Sequence, residues 1–217
     1  MTSFELGRSD IGFGKLVVDD AGITRHRMIR TQRLAWDDIV GYRLGVVIEN
    51  ATGAWGRAFG WDFSAVEDFI AALRGKRTAL RLSCELLSRQ TRLMVNWRFT
   101  TVELAIAEVM RRVGPRLLEG SLRELEQSGI ARFGDLVVGK RGVQWRKRAP
   151  LAFEAVEDLA IIDSTPVQLV VHRRGHAFAY ARFNTGDIPN VLVALDVAER
   201  LGYRVTGREV LDTVVGP

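Results

Sequence analysis

"FGKLVVDDAGI" runs from Phe13 to Ile23, and "FGDLVVGKRGV" runs from Phe133 to Val143, 120 positions later. In each, a short β-prone run is followed by turn-forming residues that end on a glycine, Gly22 or Gly142. Glycine can take φ > 0 without the steric cost that a Cβ imposes, so both stretches read as the start of a hairpin. At the same offset Ala35 and Asp38 recur as Ala155 and Asp158, while Ile23, Arg27, Asp37 and Ile39 become Val143, Lys147, Glu157 and Leu159. A gapless register of this length points to a duplicated, β-rich module.

Reading outward, "ITRHRMIR" alternates as a return strand and "LAWDDIVGYRL" suggests a further strand entered through Trp36 and Ile39, matched by "FEAVEDLAIID" in the second copy. About five strands can be read in each copy. Each copy then closes with a helix. Thr100 with Glu103 makes a capping box for a helix over about 101 to 113, with Val102, Ala105, Ile106, Val109, Met110 and Val113 on one face and Gly114–Pro115 as the stop. The second helix, about 188 to 201, has Asp187 as its N-cap, Pro189 in its first turn, an apolar face of Val191, Leu192, Leu195, Ala198 and Leu201, and Gly202 as its stop. Trp36, Ile39, Ile106, Val109, Leu192 and Leu195 are the expected core.

The expected class is α+β: two small β-barrel or β-sheet units, each closed by a C-terminal amphipathic helix. Residues 1–115 form the first unit, with a helical insert at about 50–77 in which Ser64 and Glu67 cap a short helix ending at Gly75. Residues 116–130 form a helical linker, with Ser121 and Glu124 as a second possible start, and residues 131–217 form the shorter second unit.

The net charge of +5 is spread thinly: residues 1–120 carry 18 basic and 14 acidic side chains, and 121–217 carry 13 and 12. Only four of the 31 basic residues are Lys, so the arginine content follows a bias of composition more than a patch. No apolar run spans a bilayer, and the start of the chain lacks the basic and apolar regions of a signal peptide. A cytoplasmic protein is expected, in keeping with the lone Cys84.

Consecutive hairpins, the "WDDI" strand entry and one closing helix make each copy resemble a pleckstrin-homology-like (PH-like) domain of the bacterial type. The residues that carry this are "FGKLVVDDAGITRHRMIRTQRLAWDDIVGYRL" and "TTVELAIAEVMRRVG" with their counterparts in the second copy. The resemblance implies seven strands per unit, and binding or assembly in place of catalysis. It also implies that basic residues around the first hairpin hold phosphates in lipid-binding members, a pattern matched by Lys15, Arg25 and Arg27 and by Lys140, Arg146 and Arg148. Asp19 and Asp20 make the first copy a poor phosphate site.

The strongest charge cluster is Lys140, Arg141, Arg146, Lys147 and Arg148, with Arg173 and Arg174 at a second hairpin tip. Arg pairs bidentately with phosphate, so these seven are the anion or lipid candidates. Trp55, Phe59, Trp61 and Phe63, set among glycines, are the candidates for protein contact. His172 and His176 have no Cys or carboxylate to complete a metal set, and His26 lies on a predicted strand. The chain has no G-x-S-x-G elbow, Walker loop or G-x-G-x-x-G, so no enzyme, metal or cofactor is expected. The expected function is a non-enzymatic binding or assembly module. It would act through a protein partner or self-association, or through peripheral contact with an acidic membrane. A nucleic-acid-associated protein, supported by no motif, and an enzyme of unrecognised type are the alternatives.

Overall fold

Alternation decides which face of each hairpin is covered. In β2 (Lys15–Asp19) Leu16 and Val18 are buried while Lys15 is exposed, and in β9 (Leu136–Gly139) Leu136 and Val138 are buried. The computed structural model describes residues 4–6, 15–27, 30–49, 79–96, 102–164 and 166–215. Expectations for the insert, including its Ser64 helix and Trp55, Phe59, Trp61 and Phe63, lie outside the described residues, as does Thr100.

The first half begins with a four-stranded antiparallel sheet in sequential order: β1 (Phe4–Leu6), β2, β3 (Gly22–His26) and β4 (Thr31–Ala35). A 3-10 turn, Trp36–Asp38, leads into a three-stranded antiparallel sheet of β5 (Ile39–Glu49), β6 (Ala79–Ser88) and β7 (Arg92–Asn96). Helix α1 (Val102–Ser128) follows. The second half has the same order. β8 (Ile130–Phe133), β9, β10 (Gly142–Trp145) and β11 (Leu151–Ala152) make four strands, and the 3-10 turn Phe153–Ala155 leads to β12 (Val156–Ile162), β13 (Gln168–Arg173) and β14 (Ala181–Asn184). After the 3-10 turn Thr185–Asp187 comes α2 (Val191–Arg200), then β15 (Val205–Thr206), which joins β12 in parallel, and α3 (Glu209–Val215).

The class is therefore mixed α+β, built of small antiparallel sheets. Among the described residues each half supplies seven strands before its helix, where sequence patterning showed about five, because β1, β8 and β11 are only two to four residues long. Of the two forms expected, barrel or sheet, the units take the second: the two sheets of each half remain separate and do not close into a barrel. Buried side chains from Leu16 to Leu211 nevertheless form one contiguous core across both halves.

Gly22 and Gly142 show why the opening stretches matter. Their φ values are 152° and 151°, and a Cβ would stand 2.2 Å from the carbonyl oxygen of Leu34 or 2.1 Å from that of Leu151. Only glycine allows the third strand to approach so closely. Because Leu34 corresponds to Leu151, the gapless register fails after this hairpin. Gly22 pairs with Ala35, Gly142 with Ala152, and the β10–β11 connection is three residues shorter. Trp36 thus matches Phe153, and Ile39 matches Val156.

Helix α1 departs most from expectation. It does not stop at Gly114–Pro115 but continues to Ser128, where Gly129 (φ 76°) donates its N–H to Leu125 O at 2.8 Å. Proline inside a helix removes one backbone hydrogen bond, and in an exposed helix costs about 3 kcal/mol. Long-range contacts offset that cost. Arg116 donates to the carbonyls of Asp37 (2.8 Å), Trp36 (3.0 Å) and Ile39 (2.5 Å), while Leu117, Leu118, Leu122 and Leu125 pack into the core. The helix packs on β5, β6 and β7 of the first half and on β8, α2 and α3 of the second.

Helix α2 starts at Val191, three residues later than expected. Asp187 lies in the preceding 3-10 turn, the N-cap is Asn190 (φ 55°), and Pro189 bridges to Arg43 of β5 outside the helix. Gly202 does end it: Gly202 N–H reaches Glu199 O and Tyr203 N–H reaches Ala198 O, the reciprocal pair of a Schellman motif. Val193, Ala194 and Val197 are buried besides the expected face, whereas Leu192 is only half-buried, because α1 covers α2 from a second side. Trp36, Ile39, Ile106, Val109 and Leu195 are buried as expected.

Candidate anion-binding surface

The second half's basic residues divide into two groups. The β10–β11 connection begins at Arg146, whose positive φ of 52° turns the chain and whose N–H donates to Asp135 O at 2.8 Å. Its guanidinium donates to Asp135 Oδ2 at 3.1 Å and lies 5.2 Å from the centre of the Trp145 ring. Arg148 donates to Tyr180 O and lies over the Tyr180 ring, whose hydroxyl in turn donates to Ala149 O at 2.8 Å. Arg146 and Arg148 are thus engaged in fastening this connection to Asp135 and Tyr180. Lys147, between them, is exposed.

The other four candidates converge. Lys140 and Arg141 form the exposed β9–β10 turn, and Arg141 O accepts from Phe153 N at 3.0 Å. Arg173 and Arg174, also exposed, start the β13–β14 turn, and Arg174 N donates to Ala155 O at 2.9 Å. Both turns are therefore tied to opposite ends of the same 3-10 turn, Phe153–Ala155. The three turns carry four cations and one carboxylate, Glu154. This geometry concentrates positive charge that the sequence leaves 33 positions apart, Lys140 from Arg173 and Arg141 from Arg174.

The first half has no such convergence among its described residues. Arg25 is only 3% exposed, and its Nη1 donates to Met94 O at 3.1 Å; burial, with Arg27 nearby, lowers its pKa. It occupies the place that Trp145, stacked on Phe183 at 4.3 Å, fills in the second half. Asp19 Oδ1 accepts from the N–H groups of Ala21 and Gly22, and Asp20 pairs with Arg112 at 2.7 Å, so both carboxylates serve the hairpin and its helix. Patterning by residue type at fixed spacing cannot separate a buried Arg25 from an exposed Arg173.

The remaining chemistry is structural in its placement. His172 Nδ1 lies 2.6 Å from Asp158 Oδ1, whose other oxygen accepts from Thr206 at 3.1 Å; His176 is exposed beyond the turn, and His26 lies 3.2 Å from Thr31 Oγ1. Among the described residues no group of three His, Cys, Asp or Glu side chains is placed to hold a metal ion. Cys84 is buried between Leu44 and Val95, and that burial, with Glu85 nearby, pushes its thiol pKa up to about 12. No helix among the described residues is long and apolar enough to cross a membrane. No family model and no curated protein matches this chain.

Proposed function

We propose that this protein is a non-enzymatic binding or assembly module made of two PH-like units, and that its working surface is the basic end of the second. The observation that carries this is the fastening of the Lys140–Arg141 and Arg173–Arg174 turns to the two ends of one 3-10 turn. Four exposed cations against a single carboxylate favour a polyanionic ligand. Two backbone anchors hold the turns without using any of the four cationic side chains. The cytoplasmic side, where Cys84 stays reduced, is the proposed place of action.

Inorganic polyphosphate is the probe. Wild type should bind it at low ionic strength and lose affinity steeply as salt rises, since exposed charges more than a Debye length apart, about 10 Å at 0.1 M, are screened. Charge reversal at Arg173 and Arg174 should weaken binding at least tenfold with an unchanged melting temperature. Reversal at Arg146 and Arg148 should instead lower the melting temperature, because those side chains hold the chain together. Absence of binding at low salt would remove this reading. Tighter binding to single-stranded DNA than to polyphosphate at equal charge would favour the nucleic-acid alternative.

A further inference from the structure

Phe178, in the β13–β14 connection, is 87% exposed. The base of this loop is well tied: Arg174 N–H to Ala155 O, His176 N–H to Arg173 O across Gly175 (φ 71°), and Tyr180 N–H to Val171 O. The loop therefore projects Phe178 from an ordered base. Its neighbours Ala177 and Ala179 are small and apolar, and Arg173, Arg174 and His176 are exposed on the same loop. From Ser164 to Gly186 the chain contains no Asp or Glu.

A single exposed aromatic ring, flanked by two alanines and sharing its loop with exposed Arg173, Arg174 and His176, is not the broad apolar patch of a protein-docking surface. It matches the layered chemistry of a bilayer surface, in which acidic phosphates lie above the apolar chains. Resting on the reading above, we infer that the polyanion is an anionic lipid bilayer, and that Phe178 enters the interface while Arg173 and Arg174 contact the headgroup phosphates. Arginine's planar fork suits those phosphates, and its stem can lie along the apolar boundary with its head in water. The bilayer is contacted peripherally by one loop.

Co-sedimentation tests this with the full chain and vesicles of phosphatidylcholine, alone or mixed with phosphatidylglycerol in equal parts. Wild type should sediment with the mixed vesicles and not with phosphatidylcholine alone. Phe178→Ala should reduce partitioning roughly tenfold or more, with polyphosphate binding and melting temperature unchanged because the ring makes no core contact. Phe178→Trp should add a component to the emission that shifts to the blue on mixed vesicles and is quenched by brominated lipid. Equal partitioning of Phe178→Ala and wild type, or an unshifted tryptophan on bound protein, overturns the insertion while the polyphosphate result stands. Equal binding to neutral vesicles overturns the headgroup contact. A wild-type dimer without lipid that Phe178→Ala makes monomeric would show that a second copy covers the ring, and would also overturn the inference.

Discussion

β5 and β12 open the second sheets of the two halves, and each has one edge paired with the next strand of its sheet. Their other edges are covered in different ways. Tyr42 of β5 donates its N–H to Asn190 Oδ1 and accepts from Asn190 N–H, both at 2.8 Å, and Val46 O accepts from Val167 N–H at 2.9 Å. The first half's edge is thus covered by the second half. On β12 the corresponding N–H, that of Leu159, donates to Arg204 O at 2.9 Å, and β15 pairs alongside. The second half's edge is covered by the later part of its own sequence. An uncovered edge is a liability because its unpaired N–H and C=O groups invite another chain. One device couples the halves, and the other closes the second.

A bulge near the start of each strand carries the side-chain part of the difference. In β5 the register shifts between Ile39 and Gly41, and in β12 between Val156 and Asp158. A Cβ at Gly41 would stand 3.1 Å from Asn190 Oδ1, so glycine makes room for the incoming residue. Asp158, at the matching place, instead binds Thr206 and His172. Burial of Tyr42, with Cys84 nearby, raises its phenol pKa well above the usual value.

The largest test of this coupling uses α1, which packs on both halves. Val109 is fully buried, so Val109→Asp should cost about 3 to 5 kcal/mol by placing an unpaired charge in the core. Urea unfolding followed by circular dichroism should still show one transition, moved to lower urea. Two transitions, one at the wild-type midpoint, would mean that the halves unfold separately. Asn190→Ala is next: leaving the part-buried Tyr42 N–H without its acceptor should cost about 1 to 3 kcal/mol. Thr206→Val removes a bond that Asp158 partly replaces through His172 and should cost about 1 kcal/mol. Equal losses in those two variants would break the distinction between the edges.

The smallest effect concerns pH on the first half's side of α1. Glu108 accepts from Arg111 at 2.6 Å and from Arg112 at 2.5 Å, and these arginines lower its pKa to about 2, against the effect of desolvation. A carboxylate with a depressed folded pKa stabilises above its unfolded value, near 4.3, and that contribution is lost as pH falls towards the folded value. Glu108→Gln should therefore destabilise at neutral pH by no more than about 1 kcal/mol, given the solvent exposure of Arg111. The gap from wild type should narrow between about pH 5 and pH 2. A gap that persists at pH 2, measured by urea unfolding, would assign the effect to packing.

Turn chemistry and periodicity were legible in the sequence because they act within a few residues: the β2–β3 and β9–β10 hairpins with their glycines, the stripe from Val102 to Val113, and the stop at Gly202. The basic composition of the candidate surface was legible too, although its division was not. Arg146 and Arg148 are held by Asp135 and Tyr180, while Arg141 and Arg174 meet through the backbone of Phe153–Ala155. Tertiary structure alone decided that α1 runs through Pro115, that Asn190 serves Tyr42 148 positions away, that Arg25 is buried, and that Phe178 is left in water. Local propensities are worth a few tenths to one kcal/mol per residue, so a buried leucine row or a backbone group that needs a partner can override them. Those partners are assigned only when the chain has packed.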